Sequence, residues 1–236
     1  MSKDQFVFAA QCSGEMQSFV RQLPERFGAL GTVIYDGRRN QLRVMDSPMG
    51  RVVVKHFRKP GPVNRLAYTF VRTGKARRSF EYSRRLLDIG VDVPAPLAFV
   101  ETYRGGLLAD SYYVSECFPT DMELRAFARY DGADADAIMC MTAQILCRLY
   151  QADMFYRDFT PGNVLIHNTT MPVRVALVDV NRMSFGPIAY RKEVYQLTRL
   201  YISDANLTML VRHYARLRGL DEERFLADVM ARVKRD

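Results

Sequence analysis

Apolar positions alternate with polar ones early in the chain and recur every three to four residues later. The runs at 32–35, 41–45 and 51–57 are rich in β-branched and aromatic residues. Between them, Asp36 and Gly37, then Ser47, Pro48, Met49 and Gly50, carry turn chemistry, so the pattern predicts an antiparallel meander. Pro60, Gly61 and Pro62 break the third strand, and a basic helical region follows. Its second half, 76–89, sets Tyr82, Leu86 and Ile89 at helical spacing and stops at Gly90. Two short strands are expected at 95–100 and 112–117, divided by a turn at Arg104, Gly105 and Gly106.

Past Pro119 the period becomes helical. Ile138, Met141, Ile145 and Leu149 form one apolar stripe behind acidic residues suited to a helix start. Three further helices are marked by Val194, Leu197 and Tyr201, by Leu207, Leu210, Val211, Tyr214 and Leu217, and by Phe225, Leu226, Val229, Met230 and Val233. Strands first and helices second predict an α+β protein in two lobes, over residues 1–118 and 119–236.

With 236 residues, 48% hydrophobic and 25% charged, the chain can bury a core, and wholesale disorder is excluded. No apolar run approaches the ~20 residues of a membrane-spanning helix. The start of the chain lacks an apolar segment of signal-peptide length, so a cytoplasmic location is expected. Cys12, Cys117, Cys140 and Cys147 lack zinc-site spacing and are expected to be reduced and mostly buried. The net charge of +8 is uneven. From position 51 to 85 there are eleven basic residues and one acid, Glu81, so this segment carries +10 and the remainder −2. Such asymmetry points to an anionic partner, or more blandly to solvated helix faces.

The candidate chemistry sits at Asp158 and Asn163, five positions apart, followed by the short apolar runs 164–166 and 175–178 and then Asp179. An Asp can take a proton from an attacking hydroxyl, while an Asn and a second Asp can hold the magnesium ions that neutralise phosphate charge. Alone, Asp158 and Asn163 fit a loop Asx-turn equally well. Lys55 adds weight, because an ammonium within the valine run 52–54 needs an anionic partner if it is buried. Glu81, on the next helix, is suited to supply one; its alternative is an i,i+4 ion pair with Arg85. The order Lys, Glu, Asp, Asn, Asp is that of protein-kinase-like enzymes.

Tyr156, Arg157 and Asp158 resemble the His-Arg-Asp of protein kinases, with tyrosine for histidine. Asp179 to Arg182 is similar to the Asp-x-x-Arg variant of the bacterial lipopolysaccharide kinases, the Kdo/heptose kinase family. The stretches 54–62 and 77–82 and the run 90–96 also resemble that family, and the likeness covers about 32–202. It implies a two-lobed protein-kinase-like fold, with an antiparallel sheet and one main helix in the N-lobe and a mostly helical C-lobe. It further implies ATP and Mg2+ as cofactors. Lys55 would bind the phosphates and Glu81 would hold Lys55. Asp158 would be the catalytic base, Asn163 and Asp179 the metal ligands, and Glu116 and Phe118 part of the backbone segment facing adenine.

Two departures stand out. No glycine-rich phosphate loop is present, Gly28, Gly31 and Gly37 reading as turn glycines. No long activation segment follows Asp179, which favours a small or glycolipid acceptor over a protein. The implied reaction is phosphoryl transfer to a sugar hydroxyl of lipopolysaccharide inner core, with peripheral contact to an anionic membrane surface through the segment 58–85. The alternatives are a small-molecule kinase of the aminoglycoside or choline type, and a non-catalytic pseudokinase. No nucleic-acid-binding motif is present, and no nucleic-acid partner is expected.

Overall fold

The computed structural model describes residues 4–58, 73–170 and 172–233. The break at Pro60 to Pro62, and with it Lys59, Arg65, Tyr68, Phe70 and Arg72 of the basic segment, lies outside the described residues. The chain divides into two compact units, Met1–Arg84 with Pro94–Phe118, and Arg85–Val93 with Pro119–Asp236.

The first unit is built on a six-stranded antiparallel sheet of order β1-β5-β6-β4-β3-β2. Its strands are β1 (Gln5–Phe8), β2 (Thr32–Asp36), β3 (Asn40–Ser47), β4 (Gly50–Phe57), β5 (Pro96–Arg104) and β6 (Leu107–Glu116). The expected meander is β2-β3-β4, and β5-β6 is the expected hairpin, longer at both strands than its apolar core indicated. Alternation sends Val52 and Val54 of β4 to one face, packed with Leu97, Val100 and Val114 against the helices α1 (Gly14–Arg21) and α2 (Leu23–Arg26). Met16, Val20 and Leu23 of those helices are fully buried there, and the Ser13 hydroxyl caps α1 by accepting the Met16 N–H.

Phe57 and Phe99 face the opposite way, toward Ala76 and Phe80 of α3 (Lys75–Asp88). The buried stripe of α3 is Ala76, Ser79, Phe80, Ser83 and Leu86; Tyr82 and Ile89, expected on that stripe, are half-buried at its margin. Gly31 takes φ +65°, and a Cβ there would collide with the Val44 carbonyl, so backbone approach explains this glycine. Gly28 lies in a single 3-10 turn, and the Gly37 N–H closes the β2–β3 turn on the Asn40 carbonyl.

In the second unit, α4 (Ala135–Gln151) packs on α6 (Asp204–Arg218), burying Ile138, Leu146 and Leu149 on one helix and Leu207, Leu210 and Val211 on the other. Ser203 caps the start of α6, and Gly219 ends it in the left-handed conformation, φ 65°. The helices α5 (Tyr190–Leu197) and α7 (Glu222–Met230) complete the helical part. Buried Glu193 of α5 accepts from the Tyr214 hydroxyl at 2.6 Å and from Arg218 Nε at 3.2 Å, tying α5 to α6. Tyr201, expected on α5, lies beyond it at φ 48° and two-thirds exposed. Five short strands complete the unit: β7 (Met122–Glu123), β8 (Met154–Tyr156), β9 (Val164–His167), β10 (Arg174–Leu177) and β11 (Met183–Phe185). They form the sheets β10-β9-β7 and β11-β8. All four cysteines are free thiols, Cys12 and Cys147 buried and Cys117 and Cys140 partly so. Among the described residues, no helix is long and apolar enough to cross a membrane.

Candidate active site

Three of the expected site residues meet in the second unit around one phenol. Val164 pairs with Leu177 across the β9–β10 hairpin, so Asn163 and Val178 flank its open end. The Val178 N–H donates to the Asn163 carbonyl at 3.0 Å, which brings the two segments together just before Asp179. Tyr156, at the end of β8, is 1% exposed, and its hydroxyl donates to the Val178 carbonyl. Burial, then the nearby carboxylates of Asp179 and Asp158, push this phenol well above its ordinary pKa, so it stays a neutral donor.

The loop from Asp158 to Asn163 is fastened from within. Asn163 Nδ2 donates to the Asp158 carbonyl at 2.9 Å and to Thr160 Oγ1 at 3.2 Å. These two bonds engage the amide nitrogen of Asn163. Pro161 starts a single 3-10 turn that holds the Asn163 N–H on the Thr160 carbonyl, 2.9 Å. The Asp158 carboxylate accepts from Arg182 Nη1 at 3.0 Å. Arg182 follows Asp179 by three positions, and its own carbonyl accepts the Arg157 N–H at 3.1 Å. Asp179 adopts φ 55°, a left-handed conformation that a non-glycine residue holds at some cost. Buried Asn181 donates to Asp179 Oδ1, fixing the side chain. An Asp and an Asn offering oxygen are the hard donors magnesium accepts, with phosphate oxygens completing its shell.

The remaining expected residues lie in the first unit. Lys55 is 8% exposed, on the β4 face that carries Phe57 and looks toward α3, with Nζ 5.3 Å from the Phe57 ring centroid. Glu81 lies on α3 and bonds Arg77 Nε at 2.7 Å, so its i,i+4 partner is Arg77 rather than Arg85. Arg77 sits one turn toward the helix start, and the Glu81 hydrogen bond, then the charges of Glu81 and Glu101, raise its guanidinium above the ordinary pKa. Glu116 ends β6, exposed, and Phe118 is buried. The N–H of Glu116 donates to Ala95 and that of Cys117 to Arg51, which anchors this segment to the sheet.

Asn181 and the hydrogen bond of the Tyr156 phenol are the parts that motif spacing alone did not bring forward. Asp-x-x-Arg was visible as a spacing, but its pairing with a residue 24 positions upstream was not.

The fold is that of the protein-kinase-like enzymes. The chain aligns with a solved structure of WaaP in complex with acyl carrier protein, at TM-score 0.65 and 21% identity, over 97% of this chain and 98% of that one. It also aligns with the Rio2 kinase-ADP/Mg2+-phosphoaspartate complex from Chaetomium thermophilum, at TM-score 0.51 and 15% identity, over 92% of this chain and 66% of that one. Among curated protein sequences none matches. Residues 35–219 match the lipopolysaccharide kinase (Kdo/WaaP) family, and the chain belongs to that family. It is therefore an enzyme, a phosphotransferase with a sugar hydroxyl as acceptor.

Proposed function

We infer that the protein transfers the γ-phosphoryl group of ATP to a hydroxyl of Kdo or heptose in the lipopolysaccharide inner core. The observation that carries this reading is the gathering of Asp158, Asn163 and Asp179 about the buried Tyr156 hydroxyl, in a chain of this family.

Asp158 accepts the proton of the attacking hydroxyl, and Arg182 holds its carboxylate in place. Asn163 and Asp179 present oxygens to magnesium, their orientations set by Thr160, Asn181 and the Tyr156–Val178 bond. Bound Mg2+ would neutralise phosphate charge as the bond to the transferred group loosens. Lys55 meets the ATP phosphates, with Glu81 as its counter-charge, and backbone groups of Glu116 and Phe118 meet adenine. Positioning and charge supply most of the acceleration in such transfers, which suits a site so heavily cross-linked by hydrogen bonds.

We place the enzyme at the cytoplasmic face of the inner membrane, with the basic segment 58–85 resting on anionic lipid. The test is purified protein with magnesium and ATP on isolated core oligosaccharide, followed by mass spectrometry. Gain of one phosphate on a Kdo or heptose residue supports the assignment. Transfer to soluble aminoglycosides or choline, with none to the oligosaccharide, would replace it.

A further inference from the structure

A cavity of about 350 Å³ opens in the second unit, and Asp158 is part of its wall. The same wall carries four cations, Arg157, Arg182, Lys192 and Arg199, and no acid besides Asp158. Arg182 is committed to Asp158. Among the described residues, no carboxylate pairs with Arg157, Lys192 or Arg199. Their contacts are of other kinds. Arg199 Nη1 donates to the Arg157 carbonyl at 2.9 Å, and its guanidinium carbon lies 5.7 Å from the Tyr195 ring centroid. Lys192 Nζ lies 5.7 Å from the Phe155 ring centroid. None of these contacts is with an anion, so among the described residues the three positive charges have no carboxylate partner.

Like charges converging on a concave wall raise the local potential and favour an anion there. The volume is in the range of small-molecule sites and is large enough for a sugar. Arg157 directly precedes Asp158 in the chain, so an anion held by it stands in a fixed relation to the base. We propose that this cavity receives a carboxylate or phosphate ester carried by the acceptor, and so sets which hydroxyl reaches Asp158. The assignment builds on Asp158 as the base and adds to it the requirement for an acidic acceptor. A neutral sugar of the same shape would leave the three cations unanswered.

The two anion sources are separable by calorimetry at low ionic strength, with the protein saturated in ADP and magnesium. The probes are free Kdo, its neutral methyl ester, and inorganic phosphate. Kdo binding about tenfold or more above its ester identifies a carboxylate, and phosphate binding above both identifies a phosphate ester. Lys192→Gln and Arg157→Gln should each weaken the favoured anion by about five- to tenfold, and Lys192→Arg should restore it. Equal binding of anion and ester, affinity indifferent to both glutamine variants, or binding of the probe only when ADP is left out would each overturn the proposal. Turnover is read separately. Transfer without any anion preference removes the pocket and leaves the kinase assignment standing. Variant-sensitive anion binding in a protein that transfers nothing does the reverse.

Discussion

Tyr156→Phe removes one oxygen from the centre of the site and leaves the ring's edge contact with Phe159, 6.2 Å between centroids, in place. The lost bond is the one from the phenol to the Val178 carbonyl, beside Asp179. A net hydrogen bond is worth about 1 kcal/mol, and a carbonyl left partly buried without its donor raises the cost toward about 2 kcal/mol. For a chain of this size each kcal/mol moves the melting temperature by about 2–4 °C, so a fall of about 2–8 °C is expected. The same change loosens the backbone that carries Asp179. The extra stabilisation by magnesium and ADP should therefore shrink, because it grows with the logarithm of ligand over Kd. Differential scanning calorimetry with and without magnesium–ADP reads both quantities. An unchanged melting temperature together with an unchanged nucleotide increment would refute the role given to the phenol.

Three other outcomes are expected. Asp179→Asn should cut the magnesium-dependent part of the nucleotide melting shift while sparing any magnesium-independent part; equal loss of both would move the metal elsewhere. Glu101 is 4% exposed, with one carboxylate oxygen unpartnered, and burial raises its pKa against the opposing Tyr103 hydrogen bond and Arg77 charge. A raised folded value means its contribution is full below the unfolded pKa and is lost as pH rises through the folded one. Glu101→Gln should thus gain stability relative to the parent as pH rises above the ordinary carboxylate range, by about the linkage slope, and a pH-independent difference would contradict it. Binding to anionic vesicles should fall steeply with added salt, and indifference to lipid charge would remove the membrane contact.

The parts legible in the sequence are those that local pattern encodes. Valine alternation in 52–54 and the turn residues around Gly37 and Gly50 mark the meander, and the apolar stripes of 138–149 and 207–211 mark the two packed helices. The Asp158 to Asn163 spacing with strands behind it placed the loop correctly, since the β9–β10 hairpin returns the chain to Asn163. The parts that pattern hides depend on partners far along the chain. Strand β1 is four residues long and pairs with β5 some 90 positions away, Gln5 opposite Glu101, which no short window reports. The choice of Arg77 over Arg85 by Glu81 turns on side-chain direction along one helix, where both spacings are equal. The cations around Asp158 come from three separate segments, and Arg199 reaches Arg157 across 42 residues.

The role of Asp158 as base is tested most directly by single-turnover phosphate transfer to core oligosaccharide by the parent enzyme and by Asp158→Asn, with magnesium–ATP affinity measured on the same samples. Near-equal affinity and a transfer rate lowered by about 10²- to 10⁴-fold in the variant are expected. Transfer at the parent rate by Asp158→Asn would contradict that role.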